Sequence, residues 1–443
     1  MTISVRSVAA LVAMALGLGG CDLFDRYFGA PPKQPLPGDR QSVLSGETKI
    51  DPDPRLADVV VEVPAAVVND EWLQPGGSPH HVMQHLQVSG IGVAWRASLG
   101  AGVSRNGRVT STPVIAEGRV YALDAGTQLS AIDATTGGRI WAIDVEASGS
   151  RSTGGGGGVA VSGNVVFVAT GQAQVLAVEA ATGKEIWRTT LTAPFRSGPA
   201  VAGGRVFAIS VDNQIHALDA QSGRKLWAQA GITEAAGLFG ASTPAIEGNI
   251  VVASFSSGEI FAMRSDNGRV LWTEALAGAL RTDAISALSD VRGLPVIEKG
   301  IAYAISHGGR VAAIDLRSGA RIWEQNVGSL HTPWLAGDFL FVTTVDGEVV
   351  ALRRRDGRVR WVRPLEGFSD MQRKRGRIVW TGPTMVGNRL VVFNSIGQAV
   401  TLAPTSGDIM ERLRLPGSVS LPPAIAKQTM YVVTDDGDLV ALR

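Results

Sequence analysis

The chain has 443 residues and carries 41 basic against 40 acidic side chains, a net charge of +1 at neutral pH. This balance lacks the basic excess that nucleic-acid binding requires, so the composition argues against nucleic acid as a partner. Cysteine occurs once, at position 21, which excludes an intramolecular disulfide.

The first twenty residues have the layout of a secretory signal. Arg6 precedes an apolar run from Val8 to Leu18, which is too short to span a bilayer. The sequence Leu18-Gly19-Gly20-Cys21 follows, and small residues directly before a cysteine resemble the acylation site of bacterial lipoproteins. We therefore predict that residues 1–20 are a signal peptide and that Cys21 is lipidated. A cysteine that follows an ordinary signal by chance is the alternative.

Residues 21–88 lead from Cys21 to the first predicted strand. From Asp22 to about Asn69 the segment is polar and rich in proline, with little apolar periodicity. Such composition is typical of a flexible tether, and about 48 residues would span roughly 35–40 Å. We expect this tether to hold a folded domain away from a membrane surface.

The only histidine cluster follows the tether and comprises His80, His81 and His85. On a helix, His81 and His85 would share a face and could bind a metal ion. Since no third or fourth ligand is evident, we predict no metal site and expect a segment that packs on the domain.

One sequence motif, called the phrase below, recurs in residues 89–443 at intervals of about 40–50 residues, which is the spacing of a four-stranded propeller blade. The phrase is a small apolar residue, an acidic turn, a glycine and then tryptophan, as in Ala131 to Trp141. A seventh copy ends in Glu411. The other copies end at Trp187, Trp227, Trp272, Trp323 and Trp361. The small residue is Ala131, Ala177, Ala217, Ala262, Ala313, Ala351 or Ala441, with Thr401 as the exception.

Each repeat contains two hairpin turns and therefore four short antiparallel strands. One such sheet cannot bury both faces alone, so the repeats must stack. The small alanine would let the neighbouring sheet approach, and the tryptophan would fill the gap between blades. The last copy ends at Arg443 without its tryptophan strand, whereas Ile91–Arg96 is a tryptophan strand with no repeat before it. We predict an all-β, eight-bladed propeller, closed by this N-terminal strand in the last blade.

The repeats resemble those of pyrroloquinoline-quinone (PQQ) enzymes, which bind PQQ and Ca²⁺ in the central channel. A second cysteine and a haem-attachment motif are missing from this sequence. Most acidic residues fall in hairpin turns, where capping the turn is the simpler role; examples are Asp133, Glu179, Asp219 and Asp315. We expect no cofactor and no catalysis, and retain a PQQ-dependent dehydrogenase as the alternative.

The signal, the tether and a bare eight-bladed propeller together resemble the BamB family, which belongs to the machinery that inserts β-barrel proteins into the bacterial outer membrane. The resemblance implies a lipid-anchored scaffold on the periplasmic side of the outer membrane. Its implied partners are BamA, the other lipoproteins of the machinery and unfolded barrel proteins. An aspartate directly after the lipidated cysteine, here Asp22, resembles an inner-membrane retention signal. The inner membrane is therefore the alternative location. A generic envelope sensor or holdase is a further alternative.

Two stretches match loops with which this family grips BamA. Leu288-Ser289-Asp290-Val291 precedes Pro295, and Gly237–Gly240 precedes Ser242-Thr243-Pro244. Leu238 agrees with the family's apolar contact, but Phe239 stands where the family has an arginine, and Arg292 where it has a second aspartate. The resemblance therefore implies a partner site made of Leu238, Phe239, Leu288, Ser289, Asp290, Val291 and Arg292.

Two basic stretches, Arg353–Arg355 and Arg373–Arg377, have no role in these interpretations. They could contact anionic lipid headgroups or an acidic partner, and a solvated loop is the alternative.

Overall fold

The computed structural model describes residues 49–104, 110, 112–146, 156–233, 242–276 and 290–443, all within one compact unit. These ranges contain one short 3₁₀ helix, Pro54–Leu56, and 34 β-strands. No helix within them is long and apolar enough to cross a membrane.

Eight four-stranded antiparallel sheets form the blades of a propeller, as the sequence predicts. Blade 1 contains β2 (Val114–Ala116), β3 (Arg119–Leu123), β4 (Gln128–Asp133) and β5 (Arg139–Asp144). Blade 2 contains β6 (Gly157–Ser162), β7 (Val165–Thr170), β8 (Gln174–Glu179) and β9 (Glu185–Thr190). Blade 3 contains β10 (Ala200–Ala202), β11 (Arg205–Ile209), β12 (Gln214–Asp219) and β13 (Lys225–Ala230). Blade 4 contains β14 (Ala245–Glu247), β15 (Ile250–Ser254), β16 (Glu259–Arg264) and β17 (Val270–Ala275).

The second half of the ring continues in the same order. Blade 5 contains β18 (Val296–Glu298), β19 (Ile301–Ile305), β20 (Val311–Asp315) and β21 (Arg321–Gln325). Blade 6 contains β22 (Trp334–Ala336), β23 (Phe339–Thr343), β24 (Glu348–Arg353) and β25 (Val359–Pro364). A two-stranded hairpin, β26 (Phe368–Asp370) and β27 (Arg375–Arg377), precedes blade 7, which contains β28 (Trp380–Val386), β29 (Arg389–Asn394), β30 (Gln398–Leu402) and β31 (Ile409–Arg414). Blade 8 contains β32 (Ala424–Ala426), β33 (Thr429–Val433), β34 (Asp438–Leu442) and the N-terminal β1 (Val93–Ser98).

The N-terminal strand closes the ring. Strand β1 pairs with β34 in antiparallel register, with Trp95 opposite Ala441 and Ser98 opposite Asp438. Two backbone hydrogen bonds between Gly92 and Arg443, of 3.0 and 2.9 Å, extend the pairing to the last residue of the chain. The predicted closure is confirmed, and it pairs the edge that β34 would otherwise expose.

The recurring alanine lies between two aromatic rings of its own blade. Ala131 faces Tyr121 on one neighbouring strand and Trp141 on the other, and the two rings meet over it with centroids 5.9 Å apart. Five other blades repeat this arrangement at centroid distances of 5.8–6.1 Å. A larger side chain would separate the rings. The alanine therefore makes room for this aromatic pair within the blade, and it also packs in the core shared with the next blade, where Ala131 lies in one cluster with Val159 and Val161.

The tryptophans do join neighbouring blades, as predicted. Trp272 of blade 4 donates its indole Nε1–H to the Leu316 carbonyl of blade 5, at 2.8 Å. Equivalent bonds of 2.8–3.1 Å link Trp141 to Ala180, Trp187 to Ala220, Trp227 to Ser265, Trp323 to Arg354 and Trp361 to Pro404. The repeated glycine lies against the indole of the preceding blade, and a Cβ there would stand under 3.0 Å from the ring.

The seventh repeat departs from the pattern at two paired positions. Thr401 lies directly opposite Glu411, where the other blades pair alanine with tryptophan. Glu411 is exposed and forms an ion pair of 3.2 Å with Arg389. Blade 8 has no continuous turn between its third and fourth strands, because β34 and β1 belong to opposite ends of the propeller domain. A tryptophan at 411 would therefore have no glycine turn to pack against.

Residues 49–69, which the composition assigns to a flexible tether, instead pack on the propeller. Leu56 and Val61 are 1% and 2% exposed. The backbone N–H of Asp53 donates to the Val359 carbonyl at 2.8 Å, and Arg360 donates to the Val59 carbonyl at 2.7 Å. These contacts attach the segment to blade 6, so the tether interpretation does not hold beyond residue 48.

Candidate functional site

One end of the central channel is sealed by residues 69–89, the floor segment. It makes a complete circuit of the ring and bonds to every blade in turn. In chain order its partners are Lys427 for Asn69, Ile115 for Trp72, Val161 for Leu73, Val201 for Gln74, Ile246 for Pro79, Ile297 for His80, Gly337 for Gln84, Met385 and Gly387 for Leu86, and Gln428 for Ser89. Their hydrogen-bond lengths lie between 2.6 and 3.2 Å.

The histidines of the floor segment hold it in place. His81 is 6% exposed, and its Nδ1 lies 2.7 Å from the Pro295 carbonyl oxygen. Burial lowers the pKa of His81 to about 4, so the imidazole is neutral at physiological pH. His85 bridges the Pro64 carbonyl and the Asn388 N–H, at 2.7 and 2.9 Å. The predicted packing segment is confirmed, and no three metal-ligating side chains cluster anywhere in the described ranges.

The floor converts the channel into a blind cup of about 120 Å³. Its base is formed by floor residues such as Trp72 and His81, and its wall by residues that precede the first strand of most blades. The wall residues that precede a first strand include Thr112, Thr243, Leu294, Pro333 and Pro423, and Pro383 contributes from within β28 of blade 7. Since each first strand runs from this wall towards the floor, the connections between successive blades lie on the face around the cup's mouth. We call this the mouth face.

The lining of the cup does not match a PQQ and Ca²⁺ site. Among the described residues that line it are one arginine, Arg292, two histidines and several hydroxyl groups, but no carboxylate. Ca²⁺ takes six to eight oxygen ligands, normally including carboxylates. Burial, together with the charge of Arg292, lowers the pKa of His331 to about 4. A positive group beside a neutral histidine is a poor environment for a metal cation.

The two stretches that match the family loops belong, in chain order, to the connections that precede β14 and β18, the first strands of adjacent blades. One connection joins β13 to β14 and contains Leu238 and Phe239; the other joins β17 to β18 and contains Leu288 and Ser289. These four residues lie outside the described part of the chain.

The last three residues of the predicted partner site are described, and two of them are buried. Asp290 is 5% exposed, and its carbonyl accepts from His307 N–H at 2.9 Å. Val291 is 1% exposed and packs in the core between blades 4 and 5. Arg292 is half-buried in the cup wall. Asp290 and Val291 therefore support the base of the connection and do not present an exposed contact, a burial that their position in a loop could not predict.

The two basic stretches differ sharply. Arg353 forms an ion pair with Asp356. Arg354 forms an ion pair with Glu298 and donates to the Tyr303 hydroxyl at 2.9 Å. Of the three arginines, only Arg355 is exposed. In contrast, every residue from 371 to 377 is exposed. The first stretch is explained by packing and the second is not.

The acidic residues of the repeats cap turns, as predicted. Asp133 accepts from the backbone N–H groups of Thr135 and Thr136, at 3.0 and 2.8 Å. Hydrogen bonds to these carboxylates lower the pKa values of Asp133, Asp219 and Asp315 below the ordinary range. Glu179 accepts from the Thr182 hydroxyl at 2.5 Å.

An eight-bladed ring of tryptophan-docked repeats defines a propeller of the PQQ-like repeat class. The family model described as "Outer membrane protein assembly factor BamB" matches residues 89–153 and 125–363. The protein of that name from Salmonella typhimurium LT2 is 30% identical over 355 residues, covering 79% of this chain and 88% of that protein. The Escherichia coli K12 protein is also 30% identical, over 354 residues and the same shares. The chain belongs to the BamB family of outer membrane protein assembly factors.

Solved structures share the fold at lower identity. BamB from Moraxella catarrhalis superimposes with a TM-score of 0.66 at 20% identity, covering 80% of this chain and 99% of that one. The quinohemoprotein alcohol dehydrogenase from Comamonas testosteroni superimposes with a TM-score of 0.67 at 14% identity, covering 85% of this chain and 81% of that one. These likenesses show the propeller fold, which assembly factors and dehydrogenases share.

Proposed function

We propose that this protein is a non-catalytic scaffold of the β-barrel assembly machinery that docks on the periplasmic domains of BamA and supports insertion of outer-membrane β-barrels. Family membership supports the assembly role. The observation that carries the docking geometry is that both connections matching the family loops enter adjacent blades, 4 and 5, on one face of the ring. Two loops that are distant in sequence can thus form one contact surface.

Leu238 and Leu288 are the apolar anchors of this proposed contact, with Phe239, Ser289 and Arg292 beside them. Asp290 and Val291 fix the base of the second loop from inside the propeller. Truncating an anchor that fills a partner's pocket costs about 2 kcal/mol or more, roughly thirtyfold in affinity. Other assembly lipoproteins and unfolded barrel proteins are further partners in this proposal.

Affinity purification from cell envelopes tests the docking. We expect tagged native protein to recover BamA, and the Leu238→Ala, Leu288→Ala double variant to recover far less. Ile140→Ala with Ile186→Ala is the matched control, because these aliphatic side chains are 45% and 51% exposed on outer strands of blades 1 and 2. Equal recovery of BamA by the double variant would place the contact elsewhere. Recovery of unfolded barrel proteins without BamA would favour a holdase.

The proposed anchor is an acyl chain on Cys21, which holds the protein on the periplasmic side of the outer membrane. Cys21→Ala should abolish labelling by a fatty-acid probe and release the protein from the membrane fraction. Fractionation of the native protein into the inner membrane alone would contradict the proposed location. It would indicate that Asp22 acts as an inner-membrane retention signal.

The dehydrogenase alternative is supported by the shared fold but not by the cup's lining. Incubation with PQQ and Ca²⁺, followed by reduction of an artificial dye with alcohol substrates, distinguishes the two. We expect no dye reduction above the background without protein.

A further inference from the structure

We propose that residues 368–377, the basic hairpin, form a contact site for the anionic surface of a phospholipid bilayer. The hairpin consists of strands β26 and β27 in the connection between blades 6 and 7. It carries Arg373, Lys374, Arg375 and Arg377 against a single acid, Asp370, a net charge of 4 − 1 = +3.

The cations of the hairpin are poorly neutralised by the protein itself. Asp370 lies 3.8 Å from Arg373, whose side chain is 75% exposed. Arg377 donates to the Val345 carbonyl at 3.3 Å. Lys374 and Arg375 have no carboxylate within ion-pair distance among the described residues. Four close positive charges repel one another, and an anionic surface would relieve that repulsion.

Apolar side chains are exposed beside these charges. Met371 at the tip of the hairpin is 62% exposed. Val379 and Ile396, next to the base of the hairpin, are 54% and 45% exposed. Val379 forms two 3.0 Å hydrogen bonds with Ser395, which precedes Ile396 and holds it near Val379. Exposed apolar side chains therefore flank the cations on both sides, and a cluster of cations beside exposed apolar groups suits binding in the headgroup region of a bilayer.

The base of the hairpin is held in the propeller core, which a merely solvated loop does not require. Ile378 and Trp380 are 5% and 4% exposed and pack between blades 6 and 7. Trp380 donates its indole N–H to the Glu366 carbonyl at 2.8 Å, and Ile378 N–H donates to the Gly367 carbonyl at 2.9 Å. Such a base presents the charges in a fixed place at little entropic cost.

A lipid surface fits this hairpin better than an acidic protein does. All seven residues from 371 to 377 are exposed, so the hairpin presents no concave groove for specific side chains. A bilayer surface needs no shape complementarity. Each lysine or arginine near an anionic surface increases the partition coefficient onto the bilayer by about fivefold. The stretch Arg353–Arg355, with two of its three arginines paired, lacks these properties.

Vesicle sedimentation tests the proposal, using the full chain with Cys21→Ser to remove the acylation site. The probes are phosphatidylethanolamine vesicles with and without phosphatidylglycerol. We expect binding only with phosphatidylglycerol, weakened by salt. The variant R373A/K374A/R375A should bind on the order of a hundredfold more weakly. Met371→Ala should bind less tightly without changing the salt dependence.

The matched control is K184A/R224A/R317A, which removes three exposed cations from turns on the face opposite the mouth. It should bind like the parent chain, and both triple variants should keep the parent's melting temperature. Wild-type binding by the hairpin variant, or failure of the parent to bind, would overturn the proposal. So would hairpin-dependent binding to poly-glutamate without binding to vesicles, which would indicate an acidic protein. None of these outcomes bears on the Leu238 and Leu288 contact.

Discussion

Gly319 of blade 5 lies against the indole of Trp272 of blade 4, and a Cβ atom at Gly319 would stand 2.6 Å from Cγ of that tryptophan. Its φ of +76° is also one that L-residues resist. The spacing of glycine and tryptophan along the sequence is therefore a contact between neighbouring blades as well as a turn signal.

Gly319→Ala should lower the free energy of unfolding by roughly 2–5 kcal/mol, because the left-handed conformation costs about 1–2 kcal/mol and the clash with the indole about 1–3 kcal/mol. Gly118→Ala is the control: its φ is +74°, and nothing lies within 4 Å of an added Cβ. It should show the conformational cost alone. Equal losses in denaturant unfolding of the two variants would show that the indole contact contributes nothing.

Trp361→Ala should cost about 3–5 kcal/mol, since this indole is 5% exposed and joins blade 6 to blade 7. Introducing the missing tryptophan through Glu411→Trp with Thr401→Ala should give no comparable gain, because blade 8 has no glycine turn to receive it. Denaturant unfolding measures both. A gain that matches the loss at 361 would refute this explanation of the seventh repeat.

The stability of the propeller should fall between about pH 6.5 and pH 4. Burial lowers the pKa of His81 from 6.5 to about 4, so the unfolded chain binds more protons than the folded one across this window. The stabilisation is therefore complete above pH 6.5 and is lost as the pH falls, on the order of 3 kcal/mol for this residue. His81→Gln should make the dependence shallower without removing it, because burial also lowers the pKa values of His216 and His331 to about 4. Parallel pH profiles for the variant and the parent would contradict the assignment.

Deleting residues 89–97 removes Trp95 and leaves β34 as an open edge of blade 8. We expect a sharp fall in melting temperature and self-association on size exclusion, because exposed strand edges pair with other chains. A deletion variant that stays monomeric and melts with the parent would show that the ring does not depend on this closure.

The fold could be predicted from the sequence because its signals are local and periodic. The turn at Asp133 and the Ala131 and Trp141 pair form within one hairpin, and each later copy repeats them. The histidine cluster predicted that part of the floor segment packs on the domain, but the circuit of the ring could not be predicted, since the bonds to eight blades follow no period in the chain. The apolar run Val59–Val61 and the pair Trp72-Leu73 were further signals in the sequence that residues before the first strand pack on the propeller.

The predicted partner site also has one part that the sequence indicated and one part that it did not. Family resemblance selected the two connections, and the topology shows that they precede the first strands of adjacent blades. Burial of Asp290 and Val291 could not be read from four loop residues, because it depends on His307 and Phe255 of neighbouring turns.

The most direct test of the central claim is the affinity of the purified Cys21→Ser chain for the periplasmic domains of BamA. We predict that Leu238→Ala with Leu288→Ala raises the Kd by roughly thirtyfold or more. Ile140→Ala with Ile186→Ala should leave the Kd unchanged, and all variants should share one melting temperature. An unchanged Kd for the leucine variant, or no measurable binding by the parent chain, would contradict docking through the mouth face.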